Sequence, residues 1–220
     1  MSYLFDHFKN IRTFPANTRV YRDGVFAPEL SSENEGPGLP LHIIHIGKIT
    51  GDHNWVIDMG GPRDVFLTAR IETEGAANIS VEIDANLENM GFDGRMIVKN
   101  AGNLTLDVVG NNNKSGTRIR VETKLFADAG SESELRGLAN IPADVSGAES
   151  DIGFSALCDP RAKSLAMSPA QRISSAPASA GHSASIYRPP AAQARYLETA
   201  GLTELESADL LNKVFLEEAV

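Results

Sequence analysis

Asn103-Leu104-Thr105-Leu106-Asp107-Val108-Val109-Gly110-Asn111-Asn112-Asn113 is the stretch on which the fold turns. Leu104, Leu106 and Val108 alternate with the polar Thr105 and Asp107, the period-two mark of a strand with one buried face. The Gly-Asn-Asn-Asn run that follows tolerates unusual backbone angles but is no two-residue hairpin turn.

The same texture extends in both directions. Upstream lie Leu41 to Ile46, Val65-Phe66-Leu67, Ala69 to Ile71, Ile79-Val81-Ile83 and Met96-Ile97-Val98; downstream lies Ile119-Val121-Leu125. Breaks fall at Gly60-Gly61, Gly75, Gly91 to Gly94, Gly102, Gly116 and Gly130. A sandwich, a barrel and a β-helix all accommodate such a pattern. The scarcity of tight hairpin turns after Gly24 favours a solenoid, whose corners need Gly and Asn. The pattern by itself leaves sandwich, barrel and solenoid open over the strand-rich 39–173, with a two-helix hairpin expected at the C-terminal end.

The flanks read differently. Residues 1–38 are mixed; within them Arg19 to Phe26 place Asp23-Gly24 between two apolar runs, a β-hairpin signal, and Glu33 to Pro37 read as a polar loop. Residues 174–188 are rich in Ser and Ala and read as an exposed connector. In 189–220, Pro189-Pro190 suits the first turn of a helix, and Gly201 suits its left-handed C-terminal cap. Thr203-Glu204-Leu205-Glu206 is a capping box opening a second helix, with Leu205, Ala208, Leu211 and Phe215 on one face.

Composition narrows the function classes. Among 220 residues, 42% are hydrophobic and 22% charged, which fits a soluble globular chain. A net charge of −9 argues against nucleic acid as partner, since phosphates need a basic stripe. Met1 to Arg12 carry Asp6, His7 and Lys9, unlike a secretory signal core, and no apolar run has the length of a membrane span. The single cysteine, Cys158, can form neither an intrachain disulfide nor a cysteine cage. A cytoplasmic protein with no membrane partner is the expectation.

Several motifs occur together and in order. Val20-Tyr21-Arg22-Asp23-Gly24-Val25-Phe26-Ala27-Pro28-Glu29-Leu30-Ser31 comes first, and Leu157-Cys158-Asp159-Pro160-Arg161-Ala162 with Pro169 and Ile173 follows. Next come Gly181-His182-Ser183-Ala184-Ser185, then Arg195-Tyr196-Leu197-Glu198-Thr199-Ala200-Gly201, then Ala208-Asp209-Leu210-Leu211 through Phe215. Together these resemble the SufB/SufD family of iron–sulfur cluster assembly subunits, and the resemblance implies a mainly β fold, a right-handed parallel β-helix over 39–173 followed by the two-helix hairpin. The resemblance implies a non-catalytic, SufD-like scaffold subunit working with a SufC-like ABC ATPase and with a SufB-like or identical partner, as a dimer. No resident cofactor is implied; iron or a nascent cluster would pass through transiently.

The resemblance also nominates residues. His182 matches a histidine at the family's subunit interface, so it is read as a ligand for iron in transit or as an exposed loop histidine at a subunit contact. Cys158 is a cluster ligand or, by its place before Pro169, a core residue. Tyr196, Leu197, Leu210, Leu211, Val214 and Phe215 are expected to be mostly core of the helical hairpin, part of whose surface, by the resemblance, receives the ATPase. His42 and His45, three apart in a strand, fall on opposite faces and share no metal. His53 reads as a surface loop histidine. Two other readings stand beside the scaffold. One is a carbohydrate-active β-helix enzyme, which would group acids such as Glu82, Asp84, Asp107 and Glu122 around calcium near Arg118 or Arg120. The other is an interaction module of the same family that does not handle iron.

Overall fold

The computed structural model describes residues 17–32, 39–61, 64–187 and 191–217. Eleven strands run β1 (Thr18–Arg22), β2 (Val25–Phe26), β3 (Leu41–Asp58), β4 (Val65–Ala85), β5 (Gly91–Asn100), β6 (Asn103–Asn112), β7 (Arg118–Ala127), β8 (Glu132–Ile141), β9 (Glu149–Cys158), β10 (Ser164–Ile173) and β11 (Ser179–Tyr187). Two helices follow, α1 (Ala191–Thr199) and α2 (Glu204–Glu217).

Every pairing beyond the β1–β2 hairpin is parallel, and each strand pairs with its counterpart one coil on. Leu41 is opposite Val65, and Glu132 is opposite Ser164, so a coil takes from 24 to 32 residues. The chain is a parallel β-helix of about six turns with two helices after it. One ladder runs through the first half of β3 and β4 into β5, β7, β9 and β11; the other runs through their second halves into β6, β8 and β10. β3 and β4 turn the corner between ladders without leaving strand geometry. Gly51 and Gly75 sit there at φ of 80° and 77°, angles that favour glycine.

The alternation read from the sequence sets the inside of the coil. Leu104, Leu106 and Val108 are buried, as are Ala77, Ile79 and Val81 opposite them on β4. One column along the axis is Leu67, Gly94, Val121, Ile152; another is Ile71, Val98, Leu125, Ala156. Gly94 and Gly137 face inward because a side chain has no room there. A Cβ at Gly94 would lie 2.8 Å from the Phe92 ring, and one at Gly137 would lie 2.9 Å from Ile152 and 3.1 Å from the Phe154 ring. The two rings fill the coil where the glycines make space. Inward polar groups near the corners are tied down: Asn100 accepts from Thr73 Oγ1 at 2.8 Å and donates to Ser133 Oγ at 2.8 Å.

The N-terminal hairpin forms as expected. Asp23 and Gly24 take φ of 51° and 79°, and Tyr21 opposes Phe26. β1 then joins the first ladder alongside β3, and the Asp23 carboxylate accepts the Lys48 N–H at 2.7 Å. The C-terminal caps are also as expected. Gly201 has φ 98°, and the Leu202 N–H reaches the Leu197 carbonyl at 3.2 Å. Thr203 N–H donates to Glu206 at 2.8 Å, while Glu206 N–H donates to Thr203 Oγ1 at 3.3 Å. The expected loop at Glu33 to Pro37, the segment Met1 to Arg12, Pro189-Pro190 and the Leu205 side chain lie outside the described residues.

One expectation is corrected. The Ser/Ala-rich segment is not a connector: Ser179–Tyr187 is β11, in register with Glu149–Leu157. Parallel pairing is a main-chain interaction, so small polar side chains do not prevent another rung. The β-helix therefore continues past residue 173 to Tyr187.

Candidate functional site: the open end and the helical groove

Among the described residues no strand stacks on the last coil. β10 and β11 are the terminal members of the strand order, and almost all of β11 is exposed. Its inward positions are Ala180, His182, Ala184 and Ile186, opposite Ser150, Ile152, Phe154 and Ala156. His182 thus ends the column Leu67–Gly94–Val121–Ile152, on a strand and not in a loop. A histidine is tolerated at this inner position because no further coil buries it. β11 contains no charge and no proline, whereas β10 carries Pro169, which has no N–H to offer a neighbouring strand, and Arg172.

Cys158 stands apart from this histidine. It ends β9 opposite Ala127 and is half-buried against the main core. Ile152, across from His182, lies six residues earlier on the same strand, which puts roughly 20 Å between the two positions. Among the described residues no three His, Cys, Asp or Glu side chains converge to hold a metal.

The helices lie on the outer face of the first ladder. Phe215 is the anchor: it packs on Ile97, Phe126 and Leu157 and stacks on Tyr187 with ring centroids 5.6 Å apart. Lys124 fixes it from the sheet, donating to the Phe215 carbonyl at 3.0 Å with its ammonium 5.3 Å from the ring centroid. Between helices and sheet lies a groove of about 740 Å³, walled by Tyr187, Tyr196, Leu197, Leu210, Leu211 and Val214 among others. The residues expected to be mostly hairpin core are therefore largely groove wall. Tyr196 is 72% exposed, Val214 43% and Leu210 38%. Two short helices lack the width to bury both faces, and among their described side chains Phe215 is the one packed on the Ile97, Phe126 and Leu157 cluster. Lys124 and Tyr187 were not singled out in the sequence; the outward register of Lys124 in β7 was the available signal.

The other histidines and acids have structural partners. His42 stacks on Phe66 at 5.1 Å on the outer face, and burial lowers its pKa. His45 is sandwiched between Trp55 at 3.7 Å and Tyr21 at 4.5 Å. Burial, and then the neighbouring His53, push its pKa down to about 3. His53 lies within β3 and not in a loop, its Nε2 3.1 Å from the Thr50 carbonyl. Asp107 is forked by Arg136 at 2.6 and 2.8 Å, and Asp84 and Glu82 both accept from Asn111, at 2.8 and 3.4 Å. These acids bind protein amides and guanidinium along the face of the second ladder, while Glu122 sits on the first, beside the groove. No helix among the described residues is long and apolar enough to cross a membrane.

No family model matches the chain, and no curated protein matches it in sequence.

Proposed function

We propose that this chain is a non-catalytic scaffold subunit resembling SufD, acting in iron–sulfur cluster assembly with a SufC-like ABC ATPase and a SufB-like or identical second subunit. The observation that carries the reading is the unfinished last coil: β11 presents an uncharged, proline-free outer edge with His182 at an inner position, and the helical hairpin follows directly. An unguarded strand edge of nine residues invites strand addition from another subunit. A subunit pairing there would cover His182 at the seam. The imidazole is exposed and suits iron in transit, with the remaining ligands coming from the partner or from sulfide. The hairpin groove offers the second docking surface, for the ATPase.

The test has two arms. Co-expression with a SufC-like ATPase is expected to yield a stable complex, and anaerobic reconstitution of that complex with iron and sulfide is expected to give cluster absorbance that falls in His182→Ala. No complex, or no cluster with any partner, overturns the scaffold reading. A complex that forms normally and whose behaviour is indifferent to His182→Ala would mark an interaction module that handles no iron. The carbohydrate-enzyme reading has less support, because Glu82, Asp84 and Asp107 are engaged by Asn111 and Arg136, and Glu122 lies apart from them on the other ladder.

A further inference from the structure

The hairpin groove has a definite chemical character, and it selects among occupants. Its walls are apolar and aromatic, and its rim residues Tyr196, Val214 and Leu210 remain exposed across both helices. A small ligand seated in the groove would leave that rim in water; a macromolecular surface covers floor and rim together. Among the described side chains the two helices carry four carboxylates, Glu198, Glu204, Glu206 and Asp209, against two cations, Arg195 and Lys213. Lys213 is already paired to Asp209 at 2.9 Å. Beside the groove on the sheet, Lys124 is held by the Phe215 carbonyl and ring. A second copy of this chain would bring the same acidic surface against itself, which like-charge repulsion opposes.

We infer that the groove receives an amphipathic helix of a partner protein, one whose apolar face carries large aliphatic or aromatic side chains and whose flanks are basic. This rests on the reading that the hairpin is a docking surface, and it names the chemistry of what docks. Helix-in-groove recognition supplies the geometry: side chains at i, i+4 and i+7 enter the strip lined by Leu197, Leu211 and Val214. Basic flanks are drawn to the net negative charge of the two helices, which raises the encounter rate and sets the orientation.

The full chain is titrated by fluorescence anisotropy with a labelled peptide of about 18 residues, Leu at i, i+4, i+7 and i+11 and Lys on the flanks. One comparator has the same composition scrambled, and another keeps the apolar face but replaces Lys with Glu. The basic amphipathic peptide is expected to bind at least about tenfold more tightly than either, and to weaken as salt is raised. The exposed pair Tyr196→Ser with Leu210→Ser is expected to remove that preference while circular dichroism stays unchanged. Equal binding of all three peptides, or an unaffected double variant, overturns the inference. So does displacement of a bound naphthalene-sulfonate dye by decanoate but not by the peptide, which would make the groove a small-ligand site. An ATPase complex without peptide discrimination would sink this inference alone; peptide discrimination without an ATPase complex would sink the assembly reading alone.

Discussion

The two ends of the solenoid are finished in opposite ways. At the N-terminal end, β1 and its hairpin partner β2 cover the first half of β3, and Tyr21, His45 and Trp55 stack into an aromatic plug. At the C-terminal end the inner positions simply run out, through Ala180, His182 and Ala184 to Ile186, which is 51% exposed. One chain thus carries both a guarded and an unguarded terminus. A solenoid with two open ends would polymerise head to tail, and one with two closed ends would have no docking edge. With the docking proposed above, the N-terminal end would serve stability and the C-terminal end contact.

The sharpest way to break that comparison is to truncate equivalent inner residues at different depths. Phe154 is about 1% exposed and fills the space left by Gly137; Phe154→Ala is expected to cost about 3–5 kcal/mol in urea unfolding. Ile186→Ala, one rung further on, is expected to cost less than about 1 kcal/mol. Equal losses would mean that the last coil is covered. Gly137→Ala probes the same space from the other side, since its Cβ would press on Ile152 and the Phe154 ring. A loss of about 1–3 kcal/mol is expected, and an unchanged midpoint would show that the core yields there.

The N-terminal plug should reveal itself by pH. His45 titrates near 3 when folded against 6.5 in the unfolded chain, so its contribution is complete above pH 6.5 and is lost as pH falls from 6.5 towards 3. Between pH 6.5 and 5 the loss is about 1.5 kcal/mol, the unfolded chain taking up a proton that the plug refuses. Other groups titrate too, so the readout is the difference from His45→Phe, which keeps a stacked ring and removes the proton site. The parent is expected to lose stability relative to His45→Phe as pH falls through this window; parallel curves would show that His45 is not shielded.

How legible each part was in the sequence follows from whether it needed side chains to form. The middle coils were readable because Leu104, Leu106 and Val108 must be apolar to fill the inside, and the Asn and Gly runs must be there to turn the corners. The Asp23-Gly24 turn and the Thr203–Glu206 cap were readable because few other residues perform those roles. β8 was muted: Gly137 and Ala139 are small because Phe154 occupies their space, a fact of packing invisible along the chain. β11 was invisible as a strand because its pairing with β9 is made by the backbone, and an end rung buries little. For the same reason His182 read as part of a loop, and the groove walls read as core, since an apolar stripe on a helix looks alike whether or not something covers it.

The smallest effect on the isolated chain tests the open end most directly. Ala184 faces inward opposite Phe154 but is exposed, so a lysine there can extend through the open end into water. Ala184→Lys is expected to leave unfolding free energy within about 0.5 kcal/mol of the parent. An inward-pointing charge is also a device by which native edge strands repel pairing. If β11 pairs with a second copy, the solution mass from light scattering is expected to fall to that of the monomer; if it pairs with a different subunit, the variant is expected to fail to recruit it. A large loss of stability would instead place Ala184 in a closed interior, and the contrast between the two ends would collapse.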